Sequence, residues 1–216
     1  MSEFRCSHRP LDPENTAEGI LAQDSWFTAT SSALSNIDLN VAHQIGGIGV
    51  ITNNFLNFGW HGIWLTNVVA TSSANIGTTV SGNYMTAFVE GVYLEASQNV
   101  LVSKNTILSW TADGVFVGIG SMNNDIVTNT IVDAWHGVYL FGTGGNTVTG
   151  NTIVRPVKVG VVDNLSAGGN VITNNTINQA PIGMFSVSAA GDQINPNTYF
   201  STTVLTTIAD PGTPMP

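Results

Sequence analysis

A glycine phrase that recurs at a fixed interval constrains the fold of this chain more than any other feature. Its copies read GIWL, GVYL, GVFV, GVYL, GVVD and GMFS, and they open at Gly62, Gly91, Gly114, Gly137, Gly160 and Gly183. The first interval is 29 residues and every later one is 23. A period of this size indicates one structural unit stacked repeatedly, because a single unit could not bury its own apolar face. The sequence therefore predicts a solenoid.

An asparagine phrase interleaves with the glycine phrase and defines the type of solenoid. Its asparagines are Asn54, Asn83, Asn105, Asn129, Asn151, Asn175 and Asn197, most of them flanked by aliphatic residues three positions before and two after. After each glycine the first and third residues are mostly aliphatic, and this period of two indicates strand. We expect three short strands per repeat, paired in parallel between coils at roughly 4.8 Å per rung. Each asparagine is interpreted as a turn residue in a left-handed backbone conformation, hydrogen-bonded locally and to the next coil.

These repeats resemble the right-handed parallel β-helix repeats of the pectate-lyase-like superfamily over about residues 45–200. The resemblance implies an all-β fold, a right-handed parallel β-helix solenoid of about seven coils. Lyases, hydrolases, epimerases, phage tailspikes and adhesins share that fold, so the fold does not by itself define the function.

The repeat boundaries divide the chain into three predicted parts. Residues 1–36 form an N-terminal arm and cap, in which 15–23 carry a short helix that covers the open end of the first coil. Residues 37–200 form the parallel β-helix, with the extra residues of the long first interval in a loop at about 70–76. Residues 201–216 form a terminal strand and a frayed tail.

The composition limits the partners of the protein. Fourteen acidic residues against five Lys plus Arg give a net charge of −9, which argues against nucleic acid or an anionic membrane as partner. An anionic polysaccharide would also be repelled unless a basic patch or a bound cation intervened. Cys6 is alone, so no internal disulfide and no thiolate metal cluster is expected. No signal peptide or long apolar run is present in the given chain, so no membrane insertion is predicted; a secreted, extracellular or virion-surface location is favoured.

Residues at equal offsets from the glycines stack into columns, and one column is ionisable. The residues just before the first four glycines are His61, Glu90, Asp113 and His136, which we name the ionisable column. Carboxylates on neighbouring rungs would lie about 5 Å apart, as in retaining glycosidases. Two carboxylates that close raise one pKa, which supplies a proton donor beside a base, and histidines titrate near neutral pH. The alternative is a row of polar turn residues satisfied by backbone amides and water.

A second column, two residues after each glycine, is aromatic. Trp64, Tyr93, Phe116 and Tyr139 form what we name the aromatic ladder, and Trp60 and Trp135 stand beside the ionisable column. The apolar faces of sugar rings stack on aromatic planes, so these six residues are candidate substrate-binding residues. An exposed apolar strip also suits a subunit contact, or coverage by the N-terminal arm.

Within the superfamily, three phrases show a weaker similarity to polygalacturonases. They are Thr111-Ala-Asp-Gly114, Trp135-His-Gly137 and the run from Arg155 to Lys158, in the same order as in that family. The similarity implies catalytic roles for Asp113 and His136 and substrate-binding roles for Arg155 and Lys158, with Lys158 holding a substrate carboxylate. The adjacent pair of aspartates found between the first two phrases in that family is missing here.

We therefore predict a protein that binds or processes a polysaccharide or oligosaccharide, with lyase, hydrolase or epimerase-like chemistry. Asp113 is the predicted general acid, Glu90 the base or nucleophile, and His136 and His61 the residues that orient them or relay protons. No metal ligands and no cofactor are predicted, with calcium left open. The alternative is a non-catalytic structural or adhesive β-helix, a homo-oligomer such as the tailspike trimers, with the aromatic ladder as its subunit seam.

Overall fold

The predicted repeats form a parallel β-solenoid of about seven turns. The structure is a computed structural model that describes residues 20–24, 26–35, 40–69, 77–109, 112–187, 191–194 and 196–209. Strands of successive coils pair in parallel throughout this part of the chain, as in β11 (Asp113–Val117) with β14 (His136–Phe141). The predicted all-β parallel β-helix is thereby confirmed.

Each coil contributes strands to three faces, which we number in the order that the chain follows them. Face 1 is a seven-stranded sheet made of β2 (Trp26–Thr30), β5 (Ile48–Thr52), β7 (Thr79–Ser81), β9 (Leu101–Ser103), β12 (Asp125–Val127), β15 (Thr147–Thr149) and β18 (Val171–Thr173). Face 2 contains β3 (Ala33–Ser35), β10 (Thr106–Ser109), β13 (Thr130–Val132), β16 (Thr152–Val154), β19 (Thr176–Asn178) and β21 (Thr198–Phe200). Face 3 contains β1 (Ile20–Gln23), β4 (Asn40–Ile45), β11, β14, β17 (Val159–Asn164), β20 (Ile182–Val187) and β22 (Val204–Ala209). The long strands β6 (Phe55–Thr66) and β8 (Tyr84–Glu95) run through faces 2 and 3.

Aliphatic columns on all three faces fill the interior. The columns on faces 1 and 2 are 0–1% exposed; they are Ile51, Val80, Val102, Ile126, Val148 and Ile172, and Leu56, Met85, Ile107, Ile131, Ile153 and Ile177. Face 3 adds the first and third residues after each glycine, such as Val115 and Val117. The continuous core is the main stabilising term, since each coil covers the apolar edge of the next.

The asparagine phrase forms a buried ladder between faces 1 and 2. Each side chain accepts from the preceding asparagine and donates to the next one; the Asn129 Nδ2, for example, lies 3.0 Å from the Asn151 Oδ1 and 2.9 Å from the Val102 carbonyl oxygen. The predicted bonding between coils is therefore confirmed. The predicted left-handed backbone is wrong by one position, because positive φ falls on the residue before the asparagine, as in Lys104 and Thr128. The asparagine itself lies immediately before the next strand and uses its side chain to cap the turn.

The alternation of side-chain direction is interrupted at the glycine column, so that the ionisable column and the aromatic ladder point to the same side. A Cβ atom at Gly114 would lie 2.4 Å from the Ile131 Cγ2 and 2.7 Å from the Gly137 carbonyl oxygen, so this position faces an interior with no room for a side chain. The residue after it also points inward. Strict alternation is thus interrupted at the glycine, and the residue before it points outward with the residue two positions after it.

The described residues at the two ends of the solenoid form strands, and the predicted N-terminal capping helix is not among them. The helix predicted over 15–23 is not confirmed, because residues 20–23 form β1 and 15–19 lie outside the described residues. Parallel pairing begins at β1, which pairs with β4, and extends to β22, which pairs with β20. The loop predicted at 70–76 also lies outside the described residues. No helix in the described part of the chain has the length and apolarity needed to cross a membrane.

Candidate functional site

The ionisable column occupies neighbouring strands at the start of face 3. The strand register pairs His61 with Glu90 and Asp113 with His136, and direct pairing of β8 with β11 puts Glu90 and Asp113 on adjacent strands. The side chains form two carboxylate–imidazole pairs: the His61 Nε2 lies 3.2 Å from the Glu90 Oε2, and the His136 Nδ1 lies 2.7 Å from the Asp113 Oδ1. The structure therefore brings together all four predicted catalytic residues.

The two carboxyl groups of the column have different surroundings. Asp113 is 6% exposed, and burial raises its pKa; the His136 contact opposes this rise and the Glu90 charge adds to it. Glu90 is half-buried. Its Oε2 makes no hydrogen bond of good geometry, although the His61 Nε2 lies 3.2 Å away. A carboxyl group with a raised pKa beside a second carboxyl group is the arrangement that acid–base chemistry needs.

The aromatic ladder runs directly alongside this column. Ring centroids of successive members are 5.8, 5.0 and 5.3 Å apart, and the Tyr93 and Phe116 rings are stacked with 4° between their planes. The His61 ring lies 5.1 Å from the Trp64 ring, and the His136 ring lies 5.3 Å from the Tyr139 ring. All four ladder rings are half-buried, so each still offers part of its surface.

The accessible part of the aromatic ladder ends where the same column continues as buried apolar residues. The next two residues of the same column, Val162 and Phe185, are 0% and 2% exposed and pack with Val159 and Val187 in a cluster separate from the main core. At the boundary, the Asn164 Nδ2 donates to the Tyr139 Oη at 3.0 Å. The accessible part of the ladder therefore spans the same coils as the ionisable column.

The remaining predicted binding residues lie at the margin of the site. Trp60 and Trp135 are 53% and 41% exposed, and the Lys158 Nζ lies 5.6 Å from the centroid of the Trp135 ring. Arg155 follows β16 at the corner between faces 2 and 3, where its Nε and Nη2 donate to the carboxylate of Asp133 at 2.8 and 2.9 Å. Its guanidinium is thus engaged in an exposed ion pair.

The structure adds residues that the sequence analysis missed. A shallow cavity of about 240 Å³ opens beside the ladder; it is lined by Tyr93, Glu95, Phe116, Gly118, Ile119 and Phe141. Glu95 and Phe141 stand four residues after a glycine, and this column points outward like the ladder. Because side chains alternate within each strand, a residue four positions after a glycine is expected to point outward like the residue two positions after it. The offset from the glycine could therefore have identified Glu95 and Phe141.

The comparison with solved structures finds a similar enzyme domain. The catalytic domain of a GH87 alpha-1,3-glucanase in complex with nigerose aligns with 88% of this chain at 14% identity and a TM-score of 0.49. The alignment covers 41% of that chain, so the present chain spans about two fifths of its length. Among curated proteins, no sequence matches this chain.

A protein-family model described as "Periplasmic copper-binding protein (NosD)" matches residues 14–211. That description is consistent with the extracellular location favoured above and gives no specific support to a virion surface. Protein copper sites use imidazole and soft sulfur ligands, and the described residues contain no group of three His, Cys, Asp or Glu side chains that could hold a metal ion. His61 and His136 each face a carboxylate instead, so these residues do not fit a copper site. Because the match spans most of its length, the chain belongs to the NosD family.

Proposed function

We propose that face 3 binds an oligosaccharide or polysaccharide along the aromatic ladder and hydrolyses it with Asp113 and Glu90. The observation that carries the proposal is the contact between the ladder and the ionisable column, in which imidazole rings lie about 5 Å from ladder rings. Binding groups and acid–base groups thus share one surface.

The ladder suits the shape and chemistry of a sugar chain. Half-exposed rings about 5–6 Å apart present an apolar strip along the stack, and sugar C–H faces pack on such planes. Glu95 beside the cavity and Asn164 beside Tyr139 are polar groups at its edge. Hydrogen bonds from sugar hydroxyls to such groups fix the ligand's orientation.

The charge of the face favours a neutral glycan over a polyuronate. Glu90, Glu95 and Asp113 are acidic, whereas Lys158 lies over Trp135 and Arg155 is held by Asp133. A negatively charged chain would meet repulsion along the ladder. We therefore propose neutral sugars as substrates and assign Lys158 to the margin rather than to a substrate carboxylate.

The two carboxyl groups define the proposed reaction. Asp113, with its raised pKa, donates a proton to the glycosidic oxygen as the bond to the anomeric carbon breaks. Glu90, one rung of about 5 Å away, attacks that carbon to form a glycosyl ester, a spacing typical of retaining enzymes. Water then cleaves the ester while Asp113 accepts its proton. His136 orients Asp113 through the 2.7 Å contact, and His61, 3.2 Å from the Glu90 Oε2, positions Glu90.

The family description supports a place for this reaction outside the cytoplasm. The matched family is called periplasmic, and glycans of the cell envelope or the surroundings are accessible there. We propose no role for copper in the reaction, since the described residues do not fit it.

A binding titration with matched aromatic variants tests the proposal. Neutral and acidic oligosaccharides are titrated against the parent, Tyr93→Ala and Trp26→Ala; Trp26 is 65% exposed on face 1, away from the site. Loss of one stacking plane should weaken binding of a neutral glycan about 10-fold in Tyr93→Ala and leave Trp26→Ala unchanged.

Two results would overturn the proposal. One is an equal loss in both variants. The other is the absence of any glycan binding in a protein that sediments as a trimer, which would favour the structural or adhesive role with the ladder as a subunit seam.

A further inference from the structure

Two carboxyl groups lie close together near the C-terminal end of the solenoid, one on the buried Asp163 and one on the half-buried Asp192, away from the proposed glycan site. Asp163 on β17 is 0% exposed and points into the interior at a position where earlier coils carry Leu65, Leu94, Val117 and Leu140. Asp192 occupies the end of a second asparagine ladder formed by Asn124, Asn146 and Asn170, where its Oδ1 accepts from the Asn170 backbone N–H at 2.8 Å. Both carboxyl groups thus replace residues that carry no charge elsewhere in the stack.

One oxygen of each carboxyl group is already held. The Asn170 Nδ2 donates to the Asp163 Oδ1 at 3.0 Å, and the Ser166 Oγ donates to the Asp192 Oδ1 at 3.2 Å. Ser166 in turn accepts from the Gly168 N–H at 3.0 Å and from the Asn170 Nδ2 at 2.9 Å. These contacts fix the direction in which the two remaining carboxylate oxygens point.

Three buried oxygens in this cluster have no hydrogen-bond partner. They are the Oδ2 atoms of Asp163 and Asp192 and the Oγ of Ser186. Ser186 is 0% exposed and is the strand-register partner of Asp163, one rung along the same inward column. Asp163 and Asp192 are within hydrogen-bonding reach of each other. Unpaired polar oxygens and unpaired charge in a protein interior are costly. A shared proton would satisfy the two carboxyl groups alone, whereas a bound cation would satisfy all three oxygens.

We propose that Asp163, Asp192 and Ser186 bind a hard divalent cation, with Ca²⁺ as the best match. Carboxylate and hydroxyl oxygens are ligands that hard cations prefer, and calcium tolerates irregular geometry. The described residues hold no cluster of three His, Cys, Asp or Glu side chains that could bind a metal ion. In the proposed site the third protein ligand is the hydroxyl group of Ser186, beside two carboxyl groups. A proton shared by the two carboxyl groups is the competing arrangement, and it would leave Ser186 unsatisfied.

The cation and the proton compete for the same oxygens. Carboxylates must be deprotonated to bind a metal ion, so the affinity of such a site for a metal rises with pH. Calcium affinity should therefore be higher at pH 8 than at pH 6. The titratable group facing Asp163 in the described residues is Asp192.

Thermal unfolding of the full chain, first stripped with a chelator, tests the site at pH 8. Calcium at about 100 times its Kd should raise the Tm of the parent by roughly 5–10 °C. Asp163→Asn and Ser186→Ala remove ligands and should abolish or reduce this shift. Asp125→Asn removes an exposed acid on face 1 and should retain it. Isothermal titration should give one calcium ion per chain.

Each other outcome overturns the proposal. A parent that responds to neither Ca²⁺ nor Mg²⁺ at pH 8, but gains stability on acidification, contains a shared proton instead. A calcium shift retained in Asp163→Asn shows that the ion binds elsewhere. Circular dichroism of each variant confirms that it is folded before the comparison is made.

Discussion

The asparagine ladder between faces 1 and 2 and the ionisable column are both columns of polar residues, and their hydrogen bonding differs. The asparagine ladder satisfies itself along the stack: Asn129 accepts from Asn105 and donates to Asn151 and to the Val102 carbonyl, all between 2.9 and 3.0 Å. The ionisable column pairs two by two, and the Oε2 of Glu90 has no hydrogen bond of good geometry. The ladder is buried between two faces, and the ionisable column is also largely buried but lies beside the half-buried rings of the aromatic ladder.

This difference separates a structural column from a candidate site. Amides carry both donors and acceptors, so identical side chains can bond to one another from coil to coil without a charge. Carboxylates only accept, so a column of them needs protons, imidazoles or a ligand. The same need for a proton or a ligand applies to Asp163 and Asp192, which interrupt an aliphatic column and end an asparagine ladder, respectively.

The largest expected effect is the pH dependence that Asp163 confers in the presence of a chelator. Its pKa is about 7 in the folded protein and about 3.9 in an unfolded chain. Between these values the folded state binds the extra proton, so the free energy of unfolding falls as pH rises, by about 4 kcal/mol over the whole interval. Asp163→Asn does not titrate and should lack this contribution. Urea unfolding of both proteins at pH 4.5 and pH 8 should detect about 3 kcal/mol of this difference, and identical pH dependence in the two would contradict the assignment.

A smaller loss is expected from breaking the asparagine ladder. Asn129→Ala removes four buried side-chain hydrogen bonds and leaves their partners unsatisfied, so we expect a loss of about 3 kcal/mol in the free energy of unfolding. Asn178→Ala, at a half-buried outward position of face 2, is the control and should cost less than about 0.5 kcal/mol. Chemical denaturation compares the two; equal losses would mean that the ladder has no special role.

The fold was predictable because repetition averages out local ambiguity. Seven copies of the asparagine phrase place the strands, even though a three-residue strand such as Thr130–Val132 carries little signal alone. The left-handed position was missed because Asn53 and Asn54, and Asn174 and Asn175, stand side by side, and either member of each pair suits a turn. Lys104 and Thr128, which have positive φ without being Gly or Asn, could only be identified from the coordinates.

The site was predictable as a set of columns but not as a set of contacts. Equal offsets from the glycines placed His61, Glu90, Asp113 and His136 on one face. Their pairing depends on side-chain rotamers, which spacing does not define. Asp163 was missed because the third residue after each glycine was treated as an aliphatic core column, although its offset is that of the inward leucines.

The central claim is that Asp113 is a proton donor for glycan cleavage, and turnover by Asp113→Asn tests it most directly. The turnover of a neutral oligosaccharide and its Kd are measured for the parent and for Asp113→Asn, with Asp125→Asn as the matched exposed control. The amide keeps the shape and loses the proton, so turnover should fall about 10²- to 10⁴-fold while Kd changes less than about 2-fold. Unchanged turnover together with a lower Tm would show instead that Asp113 is a structural partner of His136, and the claim would be wrong.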